Sequence, residues 1–146
     1  MSRSATLAAI VVLLLSASRA SATADFVCVA DTAHGAVVFG DAADSIDGEP
    51  LEPTVGSPFL SVGQSAVDLS HTNLRRERGG FTFRDLQTKQ PIFSMHRVSG
   101  EPAFPISAQH PFCDHKNWRE SCWSAKLIFR FQDRTVIVER ALCGVG

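Results

Sequence analysis

Apolar and polar positions alternate most regularly near the end of the chain, from Cys122 to Cys143. Trp123, Ala125, Leu127, Phe129 and Phe131 alternate with Ser124, Lys126, Ile128 and Arg130, and a β-branched run, Thr135 to Val138, follows Gln132-Asp133. A period of two with β-branched and aromatic residues predicts two strands of a hairpin. A turn centred on Gln132-Asp133 sets Phe129 opposite Val136, Leu127 opposite Val138, Trp123 opposite Leu142 and Lys126 opposite Glu139. Three apolar pairs and one opposite-charge pair favour this register, whereas a one-residue slip would oppose Lys126 and Arg140. The turn is weakly specified, because Gln-Asp lacks the glycine that a tight primed turn prefers.

The same pattern recurs in shorter pieces upstream. Strands are predicted at Asp25–Asp31, Gly35–Gly40, Phe59–Val62, Phe81–Arg84 and Ile92–Val98. Residues 41–58 carry three prolines, two glycines and five acidic residues and read as a long loop. Over 65–78 the signals conflict. Ser65 with Asp68 fits a capping box, and Arg75, Arg76 and Arg78 before Gly79-Gly80 suit a helix end. Ser70-His71-Thr72-Asn73 is poor helix material, so one short helix near 65–78 stands against none. Pro102, Pro105 and Pro111 leave little room for a strand between 100 and 113. Short strands at this spacing predict an all-β fold, a small antiparallel sandwich or barrel with two disulfides.

Composition changes this picture at the N-terminus. Arg3 precedes an apolar run, Ala5 to Leu15, and two A-x-A sites follow at 20–22 and 22–24. Residues 1–22 therefore read as a signal peptide cleaved near 22–24, and 23–146 as one secreted β domain. The apolar run falls short of the ~20 residues that span a bilayer, so no integral membrane insertion is expected. All ten Phe and both Trp follow Ala24, enough for an aromatic core. Charge is split along the chain. Eight acidic and no basic residues lie from Asp25 to Asp68, whereas residues from Ser70 onward include 12 basic and 7 acidic. The two halves either pair on folding, the favoured reading, or leave a dipolar surface. The acidic balance of the mature chain and an export route argue against nucleic acid as the partner.

Four cysteines in an exported domain read as two disulfides. Pairing Cys28 with Cys143 and Cys113 with Cys122 ties the ends of the domain and closes one short loop. These bridges would contribute nearly 5 and roughly 3 kcal/mol in the chain-entropy model. The rival pairs Cys122 with Cys143 across the hairpin and Cys28 with Cys113. The end-tying pattern is favoured, because hairpins often bulge so far from their turn. His110, Cys113, His115 and Cys122 offer metal-ligating atoms without zinc-site spacing. The acidic residues of the 41–58 loop lack the calcium-loop pattern, so no metal is expected. Gly63-Gln-Ser65-Ala-Val67 is not a nucleophile elbow, and no redox, haem or phosphate-loop motif appears. No catalytic residue and no cofactor follow from these motifs. The cluster Arg75-Arg76-Glu77-Arg78 reads as an exposed helix end or loop more readily than as an anion clamp.

A rigid scaffold with long loops and no reaction motif predicts a secreted binding protein whose partner is another protein. One version is an inhibitor of an extracellular or cell-wall hydrolase. A small hydrolase with dispersed catalytic residues, or a barrel carrier of an apolar ligand, are the alternatives. The expected contact residues are Lys116, Trp118 and Arg119 in one loop and Asp44, Asp47 and Glu49 in the other. Trp and Arg are the side chains most enriched at binding hot spots. The opposing reading folds Trp118 back over the core edge.

Overall fold

A computed structural model of the protein describes residues 24–44, 52–53 and 58–146. The expected signal peptide and most of the acidic loop, including Asp47 and Glu49, lie outside the described residues. Among the described residues ten strands follow one another: β1 (Ala24–Thr32), β2 (Gly35–Asp44), β3 (Glu52–Pro53), β4 (Phe59–Val62), β5 (Ser65–Val67), β6 (Thr72–Glu77), β7 (Gly80–Asp85), β8 (Pro91–Val98), β9 (Cys122–Phe131) and β10 (Arg134–Val145). A single four-residue helix among the described residues, α1 (Trp118–Ser121), precedes β9. All strands pair antiparallel in the order β5-β4-β2-β1-β10-β9-β8-β7-β6, and β3 pairs with the far end of β2. The sheet is an up-and-down meander curled into a half-barrel. The first strand and the last meet at its centre, and β5 and β6 are its two edges.

The inner face is filled with rings. Phe26, Phe39, Phe81, Phe83, Phe93 and Phe129 are all buried. Phe39 stacks on Phe93 at 4.5 Å between centroids, and its edges meet Phe26, Phe81 and Phe83 within 6 Å. Rings at these separations gain electrostatic complementarity beyond their buried area. Val37, Leu60, Val62, Met95 and Leu127 complete the cluster.

Three sequence expectations change. First, residues 65–78 form no helix: they form β5, a turn and β6. The Asp68 carboxylate accepts the backbone N–H and the hydroxyl of Ser70, at 2.8 and 2.6 Å, in place of a helix cap. Thr72 donates to the Leu69 carbonyl, and Leu74 pairs with Phe83. Local side-chain bonds and sheet pairing outcompete weak helix propensity there. Second, the 41–58 region is not all loop, because β2 runs on to Asp44 and Ala43 pairs with Pro53.

Third, the terminal hairpin follows the expected register only in part. Phe129 pairs with Val136 and Leu127 with Val138, and Gln132 and Asp133 both have positive φ, as a primed two-residue turn requires. A bulge between Val138 and Ala141 then shifts the ladder by one, so that Trp123 faces Cys143 and not Leu142. Because side chains alternate, a one-residue insertion reverses which face each later residue occupies. Val136 and Val138 point inward before the bulge, whereas Ala141 and Cys143 do so after it. Cys143 is thereby turned toward Cys28, directly opposite on β1, and the two are bonded with Cα atoms 4.1 Å apart. The second bridge joins Cys113 and Cys122, which is the end-tying arrangement. Lys126 and Glu139 remain close, at 3.8 Å, in an exposed pair worth at most ~1 kcal/mol.

Candidate functional site

Between β8 and β9 the chain leaves the sheet for residues 99–117 and crosses its outer face. Prolines at 102, 105 and 111 keep this excursion out of a ladder, so its backbone groups are met one by one. Ser124 Oγ donates to the Gly100 carbonyl at 2.7 Å, and the Ala103 N–H donates to the Arg140 carbonyl at 2.9 Å. The Arg140 guanidinium returns to the carbonyls of Ser99 and Glu101. The bulge that redirects Cys143 thus also frees Arg140 to hold this segment. Farther along, His110 donates from Nε2 to the Val27 carbonyl at 2.9 Å, and its Nδ1 accepts the N–H groups of Phe112 and Cys113. These bonds fix the neutral Nε2–H tautomer, and burial pushes the His110 pKa below its ordinary value. The Cys113–Cys122 bridge rests on Gly144, where any Cβ would collide with Cys113 Sγ. Phe104 stacks on His115 at 3.7 Å and joins the two limbs of the excursion.

The tip of the excursion is Pro105-Ile106-Ser107. The Asp31 carboxylate at the end of β1 accepts the Ile106 N–H at 2.7 Å and the Ser107 N–H at 3.1 Å, and also takes the Ser107 hydroxyl. The Ile106 N–H, followed by the Ser107 hydroxyl, holds the Asp31 pKa below the usual carboxylate value. With the backbone fixed from below, the Ile106 side chain stands 95% exposed. Beside it, β1 and β10 part company: their pairing ends at Val29 with Leu142. The parted strands and residues 103–105 surround a cleft of about 610 Å³, with His34 at one end and the half-exposed Ile137 on β10. The arrangement is an apolar knob beside a cleft of mixed lining, in which Phe104, Val136 and Val138 stand with Asp31, Glu139 and Arg140.

Trp118, Lys116 and Arg119 stand at the other limb of the excursion. Asp114 and Asn117 build that turn: the Asp114 carboxylate accepts the N–H groups of Lys116 and Asn117, and Asn117 Oδ1 accepts the Asp114 N–H. Trp118 is half-buried, and the Arg119 guanidinium lies 4.8 Å from its ring centre. Trp118 is not among the apolar side chains packed on the core, a place that Trp123 takes with Arg97 stacked 3.9 Å over it. Asp44 closes β2 opposite Glu52, and β1 separates β2 from β10.

Sequence reasoning did not single out Ile106 or Asp31. The available signal was one aliphatic residue isolated in a proline-punctuated segment without strand periodicity. Nor did it anticipate the fate of the histidines. His110 is a structural group, His34 packs on Phe131, and His96 lies 2.7 Å from Glu77 on the outer face of β8 and β6. Among the described residues no three His, Cys, Asp or Glu side chains are grouped to hold a metal. No helix among them is long and apolar enough to cross a membrane. Two close pairs, His96–Glu77 and Lys126–Glu139, lie within the basic half.

The fold and its outer-face site define a disulfide-bonded all-β domain. No protein-family model, curated protein or solved structure matches this chain.

Proposed function

We propose that this chain is an exported binding protein that engages a protein partner through the outer-face excursion, with Ile106 as the knob and Trp118 as a second apolar contact. Two intramolecular disulfides suit an oxidising compartment, extracellular or periplasmic. The observation that carries the reading is an isoleucine 95% exposed on a turn whose amides are held in place. A pre-fixed apolar side chain loses little entropy on entering a partner's pocket, and the cleft beside it can receive a side chain in return. The Ile106 N–H is committed to Asp31, so the tip acts as a side-chain plug and not as an added strand. Blocking an apolar pocket of an extracellular or cell-wall hydrolase is the inhibitory form of this activity. Six of the ten phenylalanines that suggested a carrier are taken up by the packed interior.

The oxidised mature protein, used as bait in its native extracellular medium, tests the reading against two variants. Ile106→Asp should unfold at the wild-type temperature, because an exposed substitution changes stability by about 0.5 kcal/mol or less. It should weaken the captured complex at least tenfold, or about 1.4 kcal/mol. Asp31→Ala should weaken it less, by freeing the tip. Equal capture by wild type and Ile106→Asp would place the partner elsewhere and sink the proposal.

A further inference from the structure

On the other flank of β10, the outer face of β7 to β10 holds a second cleft of about 330 Å³. Two guanidinium groups reach it, from Arg84 on β7 and Arg130 on β9. Their strands are separated by β8, a span of about 10 Å by ladder spacing, which two long side chains can close from either side. Arg84 Nη1 donates to the Lys89 carbonyl at 3.2 Å, but its Nε is buried with no hydrogen-bond partner among the described residues. An unmet donor on a charged group is costly, and an oxyanion is the acceptor that satisfies it best. Arg130 makes no ion pair or hydrogen bond among the described residues.

Hydroxyl groups line the rest of the cleft. Thr82 and Ser94 are cross-strand partners, 3% and 8% exposed, and Thr135 stands across from them on β10. The one carboxylate in the lining is Glu77, which is hydrogen-bonded to His96 at 2.7 Å and to Thr82 and lies within reach of the Arg84 charge, so the two guanidinium groups outnumber it by one. Ile128 supplies an apolar floor. The cleft thus has a cationic end and a hydroxyl-rich end, at a scale that fits a small molecule and not a chain.

We propose that this cleft binds a small organic oxyanion carried on a hydroxylated carbon skeleton, a sugar acid or a sugar phosphate. Arg84 Nε and Arg130 take the anionic group, and Ser94 with Glu77 takes hydroxyls of the skeleton. The site stands apart from the excursion and does not depend on a protein partner.

The test follows the Arg84 Nε–H resonance by ¹⁵N NMR in 150 mM salt during titration with glucuronate, glucose 6-phosphate, inorganic phosphate and neutral glucose. A saturable shift is expected with one or both sugar anions, at least tenfold tighter than with inorganic phosphate or glucose. Whichever sugar anion binds tighter identifies the acid or the phosphate ester as the preferred form. Arg130→Gln, at an exposed side chain, should weaken that binding at least tenfold. Ser94→Ala should weaken it about threefold or more, with inorganic phosphate unaffected. A shift that never saturates, one that survives Arg130→Gln unchanged, or equal binding of glucose would overturn the assignment. Ile106→Asp should leave these titrations unaltered, so failure here and failure of the protein-binding reading are told apart.

Discussion

The ring-filled interior and the excursion over the outer face are held by different forces. Inside, six phenylalanines and their aliphatic neighbours interlock, and Cys28–Cys143 closes the sheet through them. Outside, residues 99–121 bury little of their own and are pinned by separate polar contacts: Ser124, Arg140, Asp31, His110 and the second disulfide. Burial of apolar surface is insensitive to pH, whereas a histidine and a carboxylate are not. The outer layer is therefore the part of the molecule that conditions can loosen while the sheet stays folded.

The largest effect should come from the interior. Phe93 is fully buried and touches four other rings, so Phe93→Ala should cost ~3–5 kcal/mol in urea unfolding. A cost under 1 kcal/mol would mean that the rings are loosely packed and the contrast is wrong.

Next comes the short bridge. Replacing Cys113 and Cys122 together by Ser removes a loop constraint worth roughly 3 kcal/mol in the chain-entropy model. The loss should be local: amide exchange should accelerate in 104–121 while β7 and β8 keep their protection. Uniform acceleration would show that the excursion is part of one cooperative core.

The smallest effect is that of pH. The folded-state pKa of His110 lies below its ordinary value of 6.5, chiefly through burial. The unfolded chain therefore binds the extra proton first. Stability from this group is complete above about pH 6.5 and declines as pH falls from there toward the folded pKa. Urea midpoints between pH 7.5 and 5.0 should fall more steeply for wild type than for His110→Gln. Identical slopes would remove His110 from the list of pins.

Local pattern made much of the fold legible. Period-two alternation placed β1, β2, β4, β7, β8 and the hairpin, because a half-buried strand imposes that period wherever its sheet packs. It left 65–78 undecided, where capping signals at Ser65 and Asp68 compete with pairing to β7, a partner that local propensity cannot see. The cysteines illustrate the boundary. Their number and the expected export already implied two bridges, but the choice of Cys143 for Cys28 depends on a bulge at Glu139-Arg140, set by how β10 meets β9 and β1.

The candidate site was less legible. Trp118 and Arg119 stood out by residue type, which sequence displays. Ile106 did not, because its exposure is arranged by Asp31, 75 residues earlier, and Arg84 and Arg130 come to line one cleft only after β8 has been laid between their strands. By itself the sequence determined periodicity, the aromatic inventory and the cysteine count, all properties of near neighbours or of composition. The tertiary structure alone decided which residues are presented and which are pinned, because those outcomes are set by contacts between segments far apart in the chain and by a one-residue bulge that reverses the faces of a strand.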